Sequence, residues 1–292
     1  MIRVAPADLP ISVFHQYLLS SVAPRPIAFA STIDENGNPN LSPFSFFNVF
    51  GSNPPIAIFS PARKGRGNTT KHTYENIKKI PEVVINVVNY DMVQQASLSS
   101  TEYPAGVNEF VKAGFTAIPS ELIKPFRVKE SPVQMECKVL EVKEMGTMGG
   151  APNLIICEVI LMHIHKSVLD AENKIDQNKI DLVGRLSGDW YCRASGSALF
   201  EVEKPLSKIG IGVDQIPEVI RNSDILTGNN LGQLGNVEKL PTSEEIVAFK
   251  ESELFKQFLS SSEKNKLNLH SIAKKLLDEG KVLEAWKVLL SA

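Results

Sequence analysis

The chemistry-bearing residues of this chain are densest between Ala23 and Asn76. Arg63-Lys64-Gly65-Arg66-Gly67-Asn68-Thr69-Thr70-Lys71-His72 combines cations, glycines and hydroxyls and runs into a segment of helical character, Thr70–Lys79. A helix N-terminus offers unpaired N–H groups and the positive end of a dipole. Glycines let the backbone approach a ligand closely, so the combination suits a phosphate. The same loop would also serve as a solvated basic surface, with Thr69 or Thr70 as an ordinary N-cap. Asn40-Leu41-Ser42-Pro43-Phe44-Ser45-Phe46-Phe47-Asn48 places Phe44 and Phe46 on one strand face and Ser45 and Phe47 on the other. Small polar residues beside aromatics suit the edge of a planar ring, with backbone groups of Ser45–Asn48 as partners. A core strand with edge serines is the plain alternative. Ala23-Pro24-Arg25-Pro26-Ile27 fixes an extended backbone around Arg25. Arg25 can pair with a phosphate or neutralise a charged ring, or simply mark the entrance to a strand.

Weaker candidates lie downstream. His163-Ile164-His165 in a strand sets both imidazoles on one side, but no third metal ligand accompanies them. Trp190 and Tyr191 offer stacking faces or core aromatics. Glu109 is the one carboxylate considered as an acid/base partner, and a surface role is expected for it. Cys137, Cys157 and Cys192 are too few and too widely spaced for a disulfide framework or a zinc knuckle. No nucleophile elbow or Walker loop is present, and Gly210-Ile211-Gly212 lacks the third glycine of a dinucleotide fingerprint.

These residues must be positioned by short strands. Ile27–Ile33, then the turn at Asp34–Asn38, then Asn40–Val49 predict a hairpin. Pro55–Phe59, Val83–Val88, Met135–Val142 and Leu154–Lys166 read as further strands, and Leu199–Glu203 is expected to close the set. Helices are expected at Thr70–Lys79 and Val107–Ala113. Many short strands with few helices favour a barrel over a doubly wound sheet. Beyond Pro205 the character changes. Ile209–Gly235 is rich in Gly and Asn. Thr242-Ser243-Glu244-Glu245 forms a capping box opening a helix to about Leu259. Helices from about Glu263 to Asp278 and over Leu283–Leu290 follow, separated by Gly280. The expected organisation is therefore a mainly β domain over 1–205 and an irregular, then helical, extension over 206–292.

The 292 residues, 43% of them apolar, allow a sizeable core. A formal charge of −2 without a basic face or tail argues against a nucleic-acid partner. No run approaches the ~20 apolar residues of a membrane span. Pro6, Asp8, Pro10 and His15 interrupt any signal-peptide core. A soluble, cytoplasmic protein is expected.

Taken in order, Ala23–Ala28, Ser42–Asn48, Pro54–Ser60 and Lys71–Ile77 resemble the flavin reductase-like family of FMN-binding split barrels, which includes the flavoredoxins. Asn108-Glu109-Phe110 to Gly114, Glu136-Cys137 and Val183-Gly184-Arg185-Leu186 to Tyr191 extend the resemblance, which covers about residues 20 to 205. It implies a homodimeric, mainly β, six-stranded Greek-key split barrel with one FMN per subunit, FAD being the alternative flavin. It implies that Ser45, Phe46 and Asn48 line the ring. Arg63, Lys71, His72 and Thr73, with Ser60, lie toward the phosphate, His163 lies near the flavin, and Arg25 is a further candidate contact to the cofactor. The family often carries Asp-Thr where this chain has His72-Thr73. The implied activity is that of a flavin-dependent oxidoreductase, a flavin reductase passing electrons from NAD(P)H or a protein donor to an acceptor. A non-catalytic FMN electron carrier or sensor is the rival class, and a split barrel holding haem or a pyridoxal-type phosphate is another.

Overall fold

The computed structural model describes residues 1–206, 208–253, 255–256 and 266–291. They form two compact units, Met1–Phe200 and Glu201–Ala292. Within the first, the strands are β1 (Ala28–Ile33), β2 (Pro39–Phe44), β3 (Phe47–Ser52), β4 (Pro55–Phe59), β5 (Glu82–Val87), β6 (Ala117–Ile118), β7 (Arg127–Val128), β8 (Val133–Glu144), β9 (Asn153–Ile164), β10 (Leu182–Arg185) and β11 (Tyr191–Ala194). The helices are α1 (Ile11–Ser21), α2 (His72–Lys79), α3 (Val93–Leu98), α4 (Glu109–Ala113) and α5 (Gln177–Ile180).

The strand β1 shows why a large sheet forms. All six of its residues are buried, and the two-residue period sends them to two different cores. Ala28 and Ala30 join Phe44, Phe59, Ile85 and Ile155 on one side. Ile27 and Phe29 join Leu41, Val88, Phe110 and Phe115 on the other. The alanines leave room for Phe44 and Phe59, whose rings lie 5.6 Å apart. The Asp34–Asn38 turn folds as the sequence predicts. The Asp34 carboxylate accepts the N–H groups of Asn36 at 2.9 Å and Asn38 at 2.8 Å, and Gly37 takes a positive φ of 81°.

The seven-stranded sheet has the order β2-β1-β5-β8-β9-β4-β3, every neighbouring pair antiparallel. The family resemblance implies six strands, and six of the seven segments read as strands from the sequence lie in this sheet. The seventh arises because the single strand expected over Asn40–Val49 divides at Ser45–Phe46. Its first part pairs with β1 and its second with β4. Pro43, which cannot donate to a ladder, is accommodated because β2 is an edge strand. The two edge strands are therefore joined by a two-residue link. Bulges in the β8–β9 pairing, at Glu136/Cys137 and Val139/Glu141, add local bend and twist to the longest hairpin.

Two expectations fail here. Leu199–Glu203 forms no strand; Phe200 and Val202 alternate with Glu201 and Glu203 as a half-buried strand would, but no described strand pairs with the segment and the two apolar side chains are 84% and 73% exposed. The small hairpin β10–β11 forms instead. Conversely, α1 arises where no element was foreseen, because it buries no side chain and so carries little apolar periodicity.

The second unit has its own helical core. Helices whose bounds lie among its described residues are α6 (Glu218–Arg221), α7 (Gly228–Gly235), α8 (Ser243–Glu251), α9 (Lys266–Asp278) and α10 (Val282–Leu289). The predicted capping box is present: the Glu245 N–H donates to Thr242 Oγ1 at 3.3 Å and the Thr242 N–H to Glu245 Oε2 at 2.8 Å. That helix ends at Glu251 rather than near Leu259; residues 257–260 lie outside the described residues, as does the expected start of the next helix at 263. Gly280, with φ +74°, separates α9 from α10. Trp286 is fully buried and donates its indole N–H to the Leu234 carbonyl at 3.1 Å. Among the described residues no helix is long and apolar enough to cross a membrane, and no cluster of metal-ligating side chains occurs.

Candidate functional site

Two adjoining cavities open in the first unit, sharing Lys64, Lys71 and Glu102 in their walls. The larger, of about 520 Å³, is bounded by Ser45, Phe46, Ser60 and Arg63. The smaller, of about 40 Å³, is bounded by Asn40, His72, Thr73 and Glu109.

The larger cavity owes its shape to the link between the sheet edges. Where β2 ends, Ser45 and Phe46 cross to β3, and the Phe46 carbonyl accepts the Ser60 N–H at 2.9 Å. Phe46 stays 43% exposed. Ser60, immediately after β4, is 5% exposed, and its hydroxyl has no hydrogen-bond partner among the described residues. A buried hydroxyl without a partner costs free energy unless something else satisfies it.

The cationic wall is built by the loop after Ser60 and braced from behind by the β8–β9 turn. The Arg63 N–H donates to the Ala151 carbonyl at 2.9 Å, and the Gly150 N–H donates back to the Arg63 carbonyl at 3.0 Å. The Arg63 guanidinium donates to Asn68 Oδ1 at 2.8 Å and to the Asn68 carbonyl at 2.5 Å. Asn68 in turn donates to the Thr147 carbonyl at 2.9 Å. Gly149 is required by close approach, since a Cβ there would lie 3.0 Å from the Gly65 carbonyl oxygen and 3.1 Å from that of Lys64.

The smaller cavity lies at the start of α2. Lys71 is its N-cap, and no side chain caps the helix, so its first N–H groups and the positive dipole end remain for an anion. Thr73 is buried and its hydroxyl oxygen accepts from Asn40 Nδ2 at 2.9 Å, which leaves the hydroxyl proton free to donate. Glu109, expected at the surface, is instead 5% exposed. It accepts the Leu41 N–H of the edge strand at 3.1 Å. Burial raises its carboxyl above the ordinary range, with the Leu41 N–H and the neighbouring His72 opposing. Glu102 lies 3.5 Å from Lys64 Nζ and 3.6 Å from Lys71 Nζ.

Seven of the expected site residues are thus brought together: Ser45, Phe46, Ser60, Arg63 and Lys71 in the larger cavity, with Lys71, His72 and Thr73 in the smaller. Three lie elsewhere. Arg25 is 6% exposed, and its guanidinium donates to the carbonyls of Leu19 at 2.6 Å, Val22 at 2.9 Å and Leu186 at 2.8 Å. Its extended Pro-flanked backbone aims it at the C-terminal turn of α1. Asn48 is exposed on β3 and accepts the Val49 N–H at 2.8 Å. His163 sits 2.8 Å from the buried Glu136 carboxylate. Phe59, which precedes Ser60, pairs with Ile155, whereas His163 pairs with Gln134. That is eight residues further along β9, roughly 26 Å in an extended strand. Trp190 is 75% exposed, and Tyr191 lies under the Arg185 guanidinium, 4.6 Å from its ring centre.

Lys64 and Asn40 stand within the candidate segments of the sequence, but no individual contact is predicted for either. Glu102 lies outside those segments, and nothing local to Ser99-Ser100-Thr101-Glu102 reveals that this turn reaches Lys71 at the start of α2.

A long antiparallel sheet flanked by several helices, with this cleft at its link, has the flavin reductase-like fold. The chain belongs to the flavin reductase-like family: the model of the flavin reductase like domain matches residues 20–178. An Aquifex aeolicus protein is 34% identical over 188 residues, covering 64% of this chain and 93% of that protein. The crystal structure of nitrilotriacetate monooxygenase component B from Bacillus cereus is 26% identical, covers 69% of this chain and 98% of its own, and superposes with a TM-score of 0.65. The flavoredoxin of Desulfovibrio vulgaris (Miyazaki F), 20% identical over 64% of this chain and 93% of its own, shares the fold with a TM-score of 0.54.

Proposed function

We propose that this protein binds FMN in the paired cavities and acts as a flavin-dependent oxidoreductase. The observation that carries the reading is the Ser60 hydroxyl, buried without a partner in the wall of a ring-sized cavity beside an uncapped helix N-terminus and several cations. In this reading the isoalloxazine ring occupies the larger cavity against Ser45 and Phe46, and Ser60 donates to its ribityl side or ring edge. The phosphate takes the smaller cavity, with the α2 N-terminus, Thr73, His72, Lys64 and Lys71 as partners and Arg63 holding the loop in shape. His72, where the family often has Asp, adds a donor at the phosphate. The bound ring supplies hydride and electron chemistry, while the protein supplies position and electrostatics.

The same reading has residues 1–205 as the FMN domain. The sheet curls so that its edges meet at Ser45–Phe46, as in a Greek-key split barrel. A homodimer in the cytoplasm, with NAD(P)H or a protein as donor, completes it. The discriminating experiment is stopped-flow mixing of the FMN-loaded protein with NADH and with NADPH. Bleaching of the flavin band by either supports a reductase. A stable flavin band with both donors moves the protein to the electron carriers, and a protein that cannot be loaded with FMN ends the reading.

A further inference from the structure

We propose that Glu102 is a built-in counter-anion for the phosphate end of the cleft, which an incoming phosphate must displace. Glu102 thereby sets how strongly the protein prefers a phosphorylated flavin to an unphosphorylated one. This rests on the FMN reading above and assigns the cleft a specificity-determining residue.

Among the described residues Glu102 is the one carboxylate in the walls of both cavities. It stands between the two lysines that the cavities share, 3.5 Å from Lys64 Nζ and 3.6 Å from Lys71 Nζ. An anionic oxygen pair therefore already sits where cationic groups converge. The turn that delivers it is firmly built. The hydroxyls of Ser99, Ser100 and Thr101 each donate to a carbonyl of the last turn of α3, those of Ala96 at 2.8 Å, Ser97 at 2.6 Å and Leu98 at 2.8 Å. These hydroxyl protons are spent on the helix end and do not compete for the phosphate. The Glu102 side chain itself remains 63% exposed and can swing into water without leaving a buried charge behind.

The magnitudes make displacement feasible. An exposed ion pair contributes about 0–1 kcal/mol, so two such pairs form a weak lock. A phosphate carries up to two charges and three acceptor oxygens and can also reach the N–H groups that open α2, which the Glu102 carboxylate replaces only in part. Binding of a phosphorylated ligand thus includes the loss of both Glu102 pairs. A flavin without phosphate fills the larger cavity and leaves them intact. Removing the Glu102 charge therefore strengthens one ligand selectively.

The test is a flavin-fluorescence titration of the full chain with FMN and with riboflavin, for the wild type, Glu102→Gln and Glu102→Ala. Both variants are expected to bind FMN roughly three- to tenfold more tightly than the wild type, with riboflavin affinity unchanged, and the gain is expected to shrink at high salt. A wild type that binds FMN while both variants bind it equally well or more weakly overturns the proposal and leaves the FMN reading standing. A parallel gain for riboflavin also overturns it, since that would report a general opening of the cleft. A wild type that binds neither flavin overturns the FMN reading and this proposal with it.

Discussion

The imidazole of His163 and the carboxylate of Glu136 lie 2.8 Å apart on neighbouring strands, with the Glu136 side chain fully buried. The same carboxylate accepts the N–H groups of Glu121 and Leu122, each at 2.8 Å. The pair pins the segment before β7 to the sheet. Burial alone would raise the Glu136 carboxyl; the two backbone donors and His163 outweigh it and hold the group below the ordinary carboxylate range. A depressed value means that ionised Glu136 adds stability above the unfolded value of about 4.3 and loses it as pH falls through the folded value. Wild-type stability should therefore drop more steeply below about pH 4.3 than that of Glu136→Gln, read by urea denaturation across pH. Glu136→Ala, which leaves two N–H groups without their acceptor, should cost about 3 kcal/mol at neutral pH.

Arg25 gives a second prediction because its guanidinium is held by the backbone outside both cavities. Its guanidinium serves three backbone carbonyls at the end of α1 and at Leu186. Arg25→Lys replaces a planar fork that reaches these carbonyls from two nitrogens with a single compact ammonium, and should destabilise the protein by about 2 kcal/mol. FMN affinity at temperatures where the variant is folded should match the wild type. A loss of affinity without a loss of stability would return Arg25 to the phosphate.

Ser60 predicts a trade between stability and binding. Its hydroxyl is buried and has no partner among the described residues, so Ser60→Ala should raise the melting midpoint, with a gain of about 1 kcal/mol. If the hydroxyl serves the ligand, the same change should weaken FMN about fivefold, in line with one hydrogen bond. Thermal unfolding with and without FMN reads both effects on one sample.

Gly149 tests whether the β8–β9 turn braces the basic loop. A Cβ at this position would press within 3.0–3.2 Å of the Gly65 and Lys64 backbone. Gly149→Ala should cost about 1–2 kcal/mol and should weaken FMN more than riboflavin, because the shift falls on the phosphate side. Equal affinities for wild type and variant would show that the loop does not depend on this support.

Much of this was legible in the sequence, for identifiable reasons. The Asp34–Asn38 turn and the Thr242–Glu245 capping box are local hydrogen-bond devices, and both form as written. The basic loop and Ser45–Phe46 are near each other in the chain, so their convergence was readable from order and spacing. What escaped the sequence was tertiary. Glu109 follows an N-cap residue, Asn108, in the first turn of α4, a place where acids are commonly exposed; only the docking of α4 on β2 buries it. His163 has the same alternation as any strand residue, and its partner Glu136 is fixed by the β8–β9 register. Glu102 belongs to the cleft solely through the turn after α3.

The central claim is that FMN lies in these paired cavities with its phosphate at the start of α2. It is tested most directly by titrating FMN into the wild type and Lys71→Ala side by side. The account predicts saturable binding of one FMN per chain in the wild type and about tenfold weaker binding in the variant, the loss of one charge-assisted contact. No saturable binding in the wild type, or equal affinity in Lys71→Ala, would contradict it.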